Sequence, residues 1–413
     1  MTRGLGRRAA LAIVALAFAT RAGFALWAPD QVYGDPLFYA FYGHQIANGN
    51  GFTENDGSPG IFWPPGWPLV IAGVYTLVGE HPGAVVALEV LLGSLTALGV
   101  AGIGARLLGR RTGLAAGVIY ALWPGNVYLT AVLLSETAFL AWLVASLWLL
   151  LAALEWQGCK RVTGLCAAGV LFGAAALTKA EPLALLPVLA AVLALRVARS
   201  DWLVHGGALL LGIAVVLAPW ALRNQAIFGA PIVTSASGGT NFWIGNHRGA
   251  TGMNDLPVET WWRLQHQRDS FAETNLAQNA AGWREGLAFV RAHPREALAL
   301  VPRKLRATYA SDAAATRNLR PLEPPVRGRL ERVANLWWYA VLALALVGVG
   351  SLRRASPTAR LLLLGIPATW LLIHIVFIGG ARFHAPETPS LAVLAAAGLE
   401  RLRRALPPLR RSA

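Results

Sequence analysis

The sequence predicts an all-α polytopic membrane protein of about ten transmembrane helices, and three observations lead there. The 413 residues are 55% hydrophobic and only 14% charged, with a mean hydropathy of +0.50, beyond what a water-soluble chain of this length carries. Apolar runs approaching the ~20 residues that cross a ~30 Å hydrocarbon core recur along nearly the whole chain. Basic clusters separate them at Arg106/Arg110/Arg111, Lys160/Arg161, Arg196/Arg199, Arg353/Arg354/Arg360 and Arg401/Arg403/Arg404, each after an even number of crossings. The formal charge of +15 is therefore read as topogenic and lipid-facing, and nucleic acid is excluded as a partner.

The elements follow from that frame. The first apolar run, 9–28, comes after Arg7 and Arg8, so it starts in the cytoplasm. Arg21 interrupts it and no small-residue cleavage site precedes Trp27, which favours an uncleaved span over a signal peptide. Further spans are expected at 82–105, 112–125, 135–156, 162–177, 182–198, 203–220, 335–352, 359–378 and 388–402, with both termini in the cytoplasm of a bacterial inner membrane. Several are short for a full crossing.

Three parts are expected: an N-terminal membrane module, 1–220, with a first extracytoplasmic loop at 29–81; an extracytoplasmic segment, 221–334; and C-terminal membrane helices with a basic tail, 335–413. Within the first loop, 36–48 places Leu37, Phe38, Phe41, Tyr42 and Ile46 on one helical face, as in a helix lying at the membrane interface, and 68–79 reads as a second such helix. No internal repeat stands out, so a repeat-built transporter gains no support.

Candidate chemistry collects at the outside ends of spans. Asp35, just past the first crossing, reads as a base or, with Pro36 behind it, as a helix N-cap. Glu136 falls on the same side, either functional or capping the fourth span with Ser135. Arg21 and Glu89 fall at one depth, roughly 10 Å below the outer surface at ~1.5 Å per residue, and are expected to pair. Lys179 and Arg382 stand at outer turns where topology requires no cation; they suit a lipid phosphate or act as snorkelling anchors. Residues 237–246, with Asn241 and Asn246 among glycines and aromatics, have a composition suited to a sugar or to an ordinary turn. Arg303, Lys304 and Arg306 accompany Leu298, Val301 and Leu305 in an amphipathic segment.

Absences narrow the field. There is no Walker loop, His-Glu-x-x-His, Gly-x-Ser-x-Gly or dinucleotide fingerprint. The two cysteines, Cys159 and Cys166, form no zinc spacing or disulfide framework. No cofactor is expected; a divalent ion at Asp35 and Glu136 is compatible but unsupported.

Taken in order, Asp35 with Tyr39, Gly49-x-Gly51-Phe52, Trp63-Pro64-Pro65-Gly66-Trp67-Pro68, Ser135-Glu136, Leu177-Thr178-Lys179, residues 241–246 and Arg382-Phe383-His384-x-Pro386 resemble the membrane-embedded C-type glycosyltransferases, specifically the bacterial relatives of protein O-mannosyltransferases and of the aminoarabinose transferase. The resemblance implies the C-type glycosyltransferase fold and transfer of a sugar from a polyprenyl-phosphate carrier to a glycan, lipid or protein acceptor on the extracytoplasmic face, among membrane lipids. It makes Asp35 the base, with Glu136 beside it. Lys179, Lys304 and Arg382 become candidates for the lipid phosphate, and Tyr39, His44, Trp63, Asn241, Asn246 and His384 for the substrate pocket. The chain departs in carrying Asp35 alone where some relatives have an adjacent acidic pair, and His384 where an aromatic Tyr is more usual. The rival reading is a lipid-linked-sugar flippase or polytopic transporter, which would also use intramembrane charge.

Overall fold

The computed structural model describes residues 5–28, 34–253, 268–319 and 322–405, and among them there is no β-strand, only an isolated bridge between Thr53 and Pro59. The first loop's residues 29–33 lie outside the described residues. Helix α1, Arg7–Trp27, leads to two short helices, α2, Asp35–Ala47, and α3, Gly66–Val78. There follow α4, Pro82–Leu108, α5, Arg110–Ala121, and α6, Pro124–Leu129. The next four are α7, Glu136–Ala153, α8, Gly158–Thr178, α9, Leu186–Arg196, and α10, Trp202–Phe228. Then come α11, Gly238–Ile244, α12, Phe271–Ala292, and α13, Pro294–Tyr309, before α14, Pro324–Val349, α15, Pro357–Val376, and α16, Thr388–Ala405.

Each expected span has a helix, and among the described residues seven are long and apolar enough to cross a membrane: α1, α4, α7, α8, α10, α14 and α15. Helices α5 and α9 are shorter, and α16 ends in Glu400, Arg401, Arg403 and Arg404. Two helices run past the expected segment boundaries, α10 to Phe228 and α14 from Pro324. The chain is a multi-pass membrane protein.

Bilayer lipid offers helices no hydrophobic reason to associate, so close backbone approach has to supply the packing. Glycines provide it: a Cβ at Gly169 of α8 or Gly212 of α10 would strike the carbonyl of the facing helix, as it would at Gly348 of α14 and Gly398 of α16. In the first loop, α2 buries Tyr39, Tyr42 and Gly43, the last so close to α3 that a Cβ would strike Ile71, while Leu37 and Phe38 stay exposed. The face expected to lie at the interface is thus divided, because Tyr42 turns inward, stacking on Phe52 at 4.2 Å and donating to Glu54 at 2.6 Å.

One sequence expectation is corrected. Arg21 and Glu89 are both fully buried, yet neither Glu89 oxygen has a hydrogen-bond partner and the two do not pair. The Arg21 guanidinium donates to the carbonyls of Ala17 at 3.3 Å, Ala121 at 3.1 Å and Tyr120 at 3.4 Å. The last two belong to the C-terminal end of α5, where carbonyls have no intrahelical donor and the dipole favours a cation.

Candidate active site

Four charged side chains expected at outer turns meet in the structure. Asp35 opens α2, but the N-cap is Gly34, whose φ of 74° suits glycine, and no side chain caps the helix. The Asp35 carboxylate is left for Arg382, with which it forms an ion pair. Glu136 likewise opens α7 without a side-chain cap. Its Oε1 accepts from the Lys179 ammonium at 2.9 Å and lies 3.6 Å from Nε of Arg382. Arg382 therefore bridges the two carboxylates, and Lys179 holds the second from the other side. Phe383 backs both cations, its ring 5.9 Å from the Lys179 ammonium and 5.6 Å from the Arg382 guanidinium carbon.

Local structure explains the convergence. Lys179 follows the last residue of α8, and a Cβ on Gly66 would collide with the backbone of Leu177 and Thr178 there. The Pro- and Trp-rich stretch thus seats the start of α3 beside Lys179. Trp67 donates to the carbonyl of Leu133 at 3.3 Å, just ahead of Ser135 and Glu136. Tyr39, one helical turn beyond Asp35, lies 3.4 Å from the Ser135 hydroxyl. Trp63 packs edge-on against Tyr39 at 5.3 Å and stacks on Phe38 at 5.6 Å. Burial, then the Asp35 and Glu136 charges, push the Tyr39 phenol far up, so it stays a neutral donor. Burial works against the charge on Arg382, but Glu136 and Asp35 outweigh it and hold the guanidinium above its ordinary value.

A second, deeper group surrounds the same loop. Both ring nitrogens of His384 meet acceptors, Nδ1 the Thr308 carbonyl and Nε2 Oδ1 of Asp312, each at 2.8 Å. Burial lowers the imidazole pKa, and the Asp312 hydrogen bond and charge more than reverse this, so His384 is raised. Trp123 donates to the other oxygen of Asp312 at 2.7 Å, and Trp338 stacks on His384 at 4.2 Å. Tyr309 donates to Glu387 at 2.6 Å; burial dominates there and raises the Glu387 carboxyl to about 7.

Lys304 directs its ammonium to Oδ1 of Asn246 at 2.9 Å and to the carbonyls of Val376 and Ile375 at 3.1 and 3.2 Å, capping the end of α15. Buried among neutral acceptors, it is lowered to about 8. A Cβ on the adjoining Gly379 would strike the Lys304 carbonyl, so α13 and the Arg382 loop lie backbone to backbone.

The structure thus gathers Asp35, Glu136, Lys179, Arg382, Tyr39 and Trp63. It sets Lys304, Asn246 and His384 in the buried layer behind them. His44 lies on the exposed side of α2, bonded to Glu80 at 2.6 Å, and Asn241 is half-buried in α11. Sequence reasoning missed Asp312, Trp123, Tyr309 and Glu387. The one available signal for Asp312 was its standing as the chain's last aspartate. Among the described residues no three His, Cys, Asp or Glu side chains group as a metal site.

Residues 63–222 match the family model described as dolichyl-phosphate-mannose-protein mannosyltransferase. The structure superposes on the archaeal oligosaccharyltransferase AglB from Archaeoglobus fulgidus in complex with an inhibitory peptide and a dolichol-phosphate, with a TM-score of 0.58 at 14% identity, over 98% of this chain and 52% of that one. The chain has the C-type glycosyltransferase fold. An apo form of the Archaeoglobus fulgidus oligosaccharyltransferase matches this fold at a TM-score of 0.57 and 14% identity, over 96% of this chain and 51% of that one. ArnT from Cupriavidus metallidurans bound to undecaprenyl phosphate aligns at 0.44 and 16% identity, over 95% and 77%. The chain spans about half the length of the archaeal proteins whose C-type glycosyltransferase fold it shares. No curated protein sequence matches it significantly.

Proposed function

We propose that the protein transfers a sugar from a polyprenyl-phosphate donor to a glycan, lipid or protein acceptor on the extracytoplasmic face of a bacterial inner membrane, with both termini in the cytoplasm. In this reading 1–220 and 335–413 are the membrane modules, and 221–334 is the extracytoplasmic segment. The carrying observation is Arg382 shared between Asp35 and Glu136, with Lys179 beside it. The match of residues 63–222 and a shared fold with a protein whose structure holds a dolichol-phosphate support the reading.

The chemistry follows from that shared cation. A lipid phosphate entering between Lys179 and Arg382 competes with Asp35 for the guanidinium, since phosphate and carboxylate are both bidentate partners of arginine. Asp35, released from its countercharge, accepts the proton of the acceptor hydroxyl or amine as that group attacks the anomeric carbon. The bond to the phosphate oxygen breaks, and the departing phosphate is held by the two cations. Glu136 keeps both cations aimed at the phosphate, while Tyr39 and Trp63 flank the sugar. Lys304, Asn246 and His384 support the loop from behind.

The test is incubation of the purified protein with a panel of polyprenyl-phosphate sugars and candidate acceptors, scoring free lipid phosphate and glycosylated product. Turnover with at least one donor, absent in D35N, is expected. Undiminished turnover in D35N removes Asp35 from the role of base. Movement of the intact lipid-linked sugar across a bilayer without cleavage replaces the transferase reading with the flippase.

A further inference from the structure

Glu89 of α4 has no role in the reaction just described, yet it is fully buried and neither of its carboxyl oxygens has a hydrogen-bond partner. Helices α4 and α7 run in the same direction, since a Cβ at Gly99 would meet Val144 and one at Gly102 would meet Trp148. The same register, carried back along both helices, brings Glu89 level with the N-terminal end of α7, where Glu136 stands. The two acidic groups are within electrostatic reach of one another.

The partners around them are already assigned. Oε1 of Glu136 takes Lys179 and faces Arg382, while its Oε2 is buried without a partner. On α1, the terminal nitrogens of Arg21 are taken by carbonyls at the end of α5, and its Nε, which lies against Gly93 of α4, makes no hydrogen bond to Glu89. Glu89 therefore has no cation of its own. An unpaired carboxylate in such a place is strongly disfavoured, a penalty that a bound proton removes. A protonated carboxyl also supplies a donor, which is what Oε2 of Glu136 lacks.

We infer that Glu89 is carried as a neutral carboxylic acid whose hydroxyl donates to Oε2 of Glu136, making it a positioning residue for the carboxylate that aligns Lys179 and Arg382. The structural half of this inference is independent of the reaction; the kinetic half rests on the glycosyl-transfer reading.

Infrared difference spectra of the purified full chain against E89Q test the structural half. A protonated carboxyl C=O band is expected in the wild type and absent from E89Q; a wild type without that band overturns the inference whatever the reaction. In transfer assays E89Q, whose amide also donates, should stay within about threefold of wild type. E89M should lose tenfold or more in kcat with a smaller change in KM for the donor. E89M at the wild-type rate, or E89Q as impaired as E89M, overturns the positioning role. If the wild type itself transfers nothing, the glycosyl-transfer reading fails, and the infrared result still decides the state of Glu89.

Discussion

Lys179, at the end of α8, and Lys304, whose ammonium reaches the end of α15, stand near the same loop, and the structure uses them in opposite ways. Lys179 faces a carboxylate in a cluster that remains partly open, with the side chains of Arg382 and Asp35 27% and 26% exposed. Lys304 is 1% exposed and its ammonium contacts are neutral oxygens. A cation in a cluster that stays open to solvent at Asp35 and Arg382 can meet an incoming anion at little electrostatic cost. One closed in by backbone carbonyls cannot do so without breaking the fold. The same division separates Arg382, which ties two acids, from His384, which ties Asp312 and Thr308 behind it.

Substitutions can break that contrast, and the largest effect is expected at Asp35. D35N should lower transfer by ~10² to 10⁴ fold, the range of a positioned base, with donor binding retained in a pull-down with immobilised polyprenyl phosphate. R382K keeps the charge but loses the planar fork, and a ~10² fold fall in kcat is expected in the same assay. K179M should weaken donor binding about tenfold, ~1.4 kcal/mol, and spare most of kcat; an unchanged donor KM would place Lys179 outside the phosphate site. H44A, on the exposed edge, should leave stability within about 0.5 kcal/mol and transfer near wild type.

The buried side is sharpened by pH. Because the folded His384 binds its proton more tightly than its ordinary value of 6.5 implies, its contribution to stability is complete below that value. The contribution is lost as pH rises through the elevated one. Thermal unfolding followed across pH should show this alkaline loss in the wild type. In D312N it should begin at lower pH, and a limb that does not move would detach His384 from the effect.

Depth was legible in the sequence and rotation was not. Hydropathy runs and arginine clusters located the helices, seven of them long and apolar enough to cross a membrane among the described residues, because bilayer thickness and charge sidedness act on every residue independently of its neighbours. The same counting put Asp35, Glu136, Lys179 and Arg382 on one side, where the structure brings them together. It also put Arg21 and Glu89 at one depth, but the contact depends on how each helix is turned, and α5 ended where Arg21 could cap it. Asp312 was invisible for a related reason: it sits in a polar stretch with no period to mark it, and its meaning comes from Trp123 and His384, each more than 70 positions away.

The loop between α15 and α16 is anchored at several points along its length. Gly379 donates to the Gly252 carbonyl at 2.8 Å, His384 is fastened at both nitrogens, and Glu387 is held by Tyr309. Fixing a residue's backbone costs ~1 to 2 kcal/mol in conformational entropy. Here that ordering is completed when the chain folds. A ligand meeting Arg382 finds a guanidinium already aimed, so little of its binding enthalpy goes into organising the receptor, and the free energy remains available for discriminating one headgroup from another.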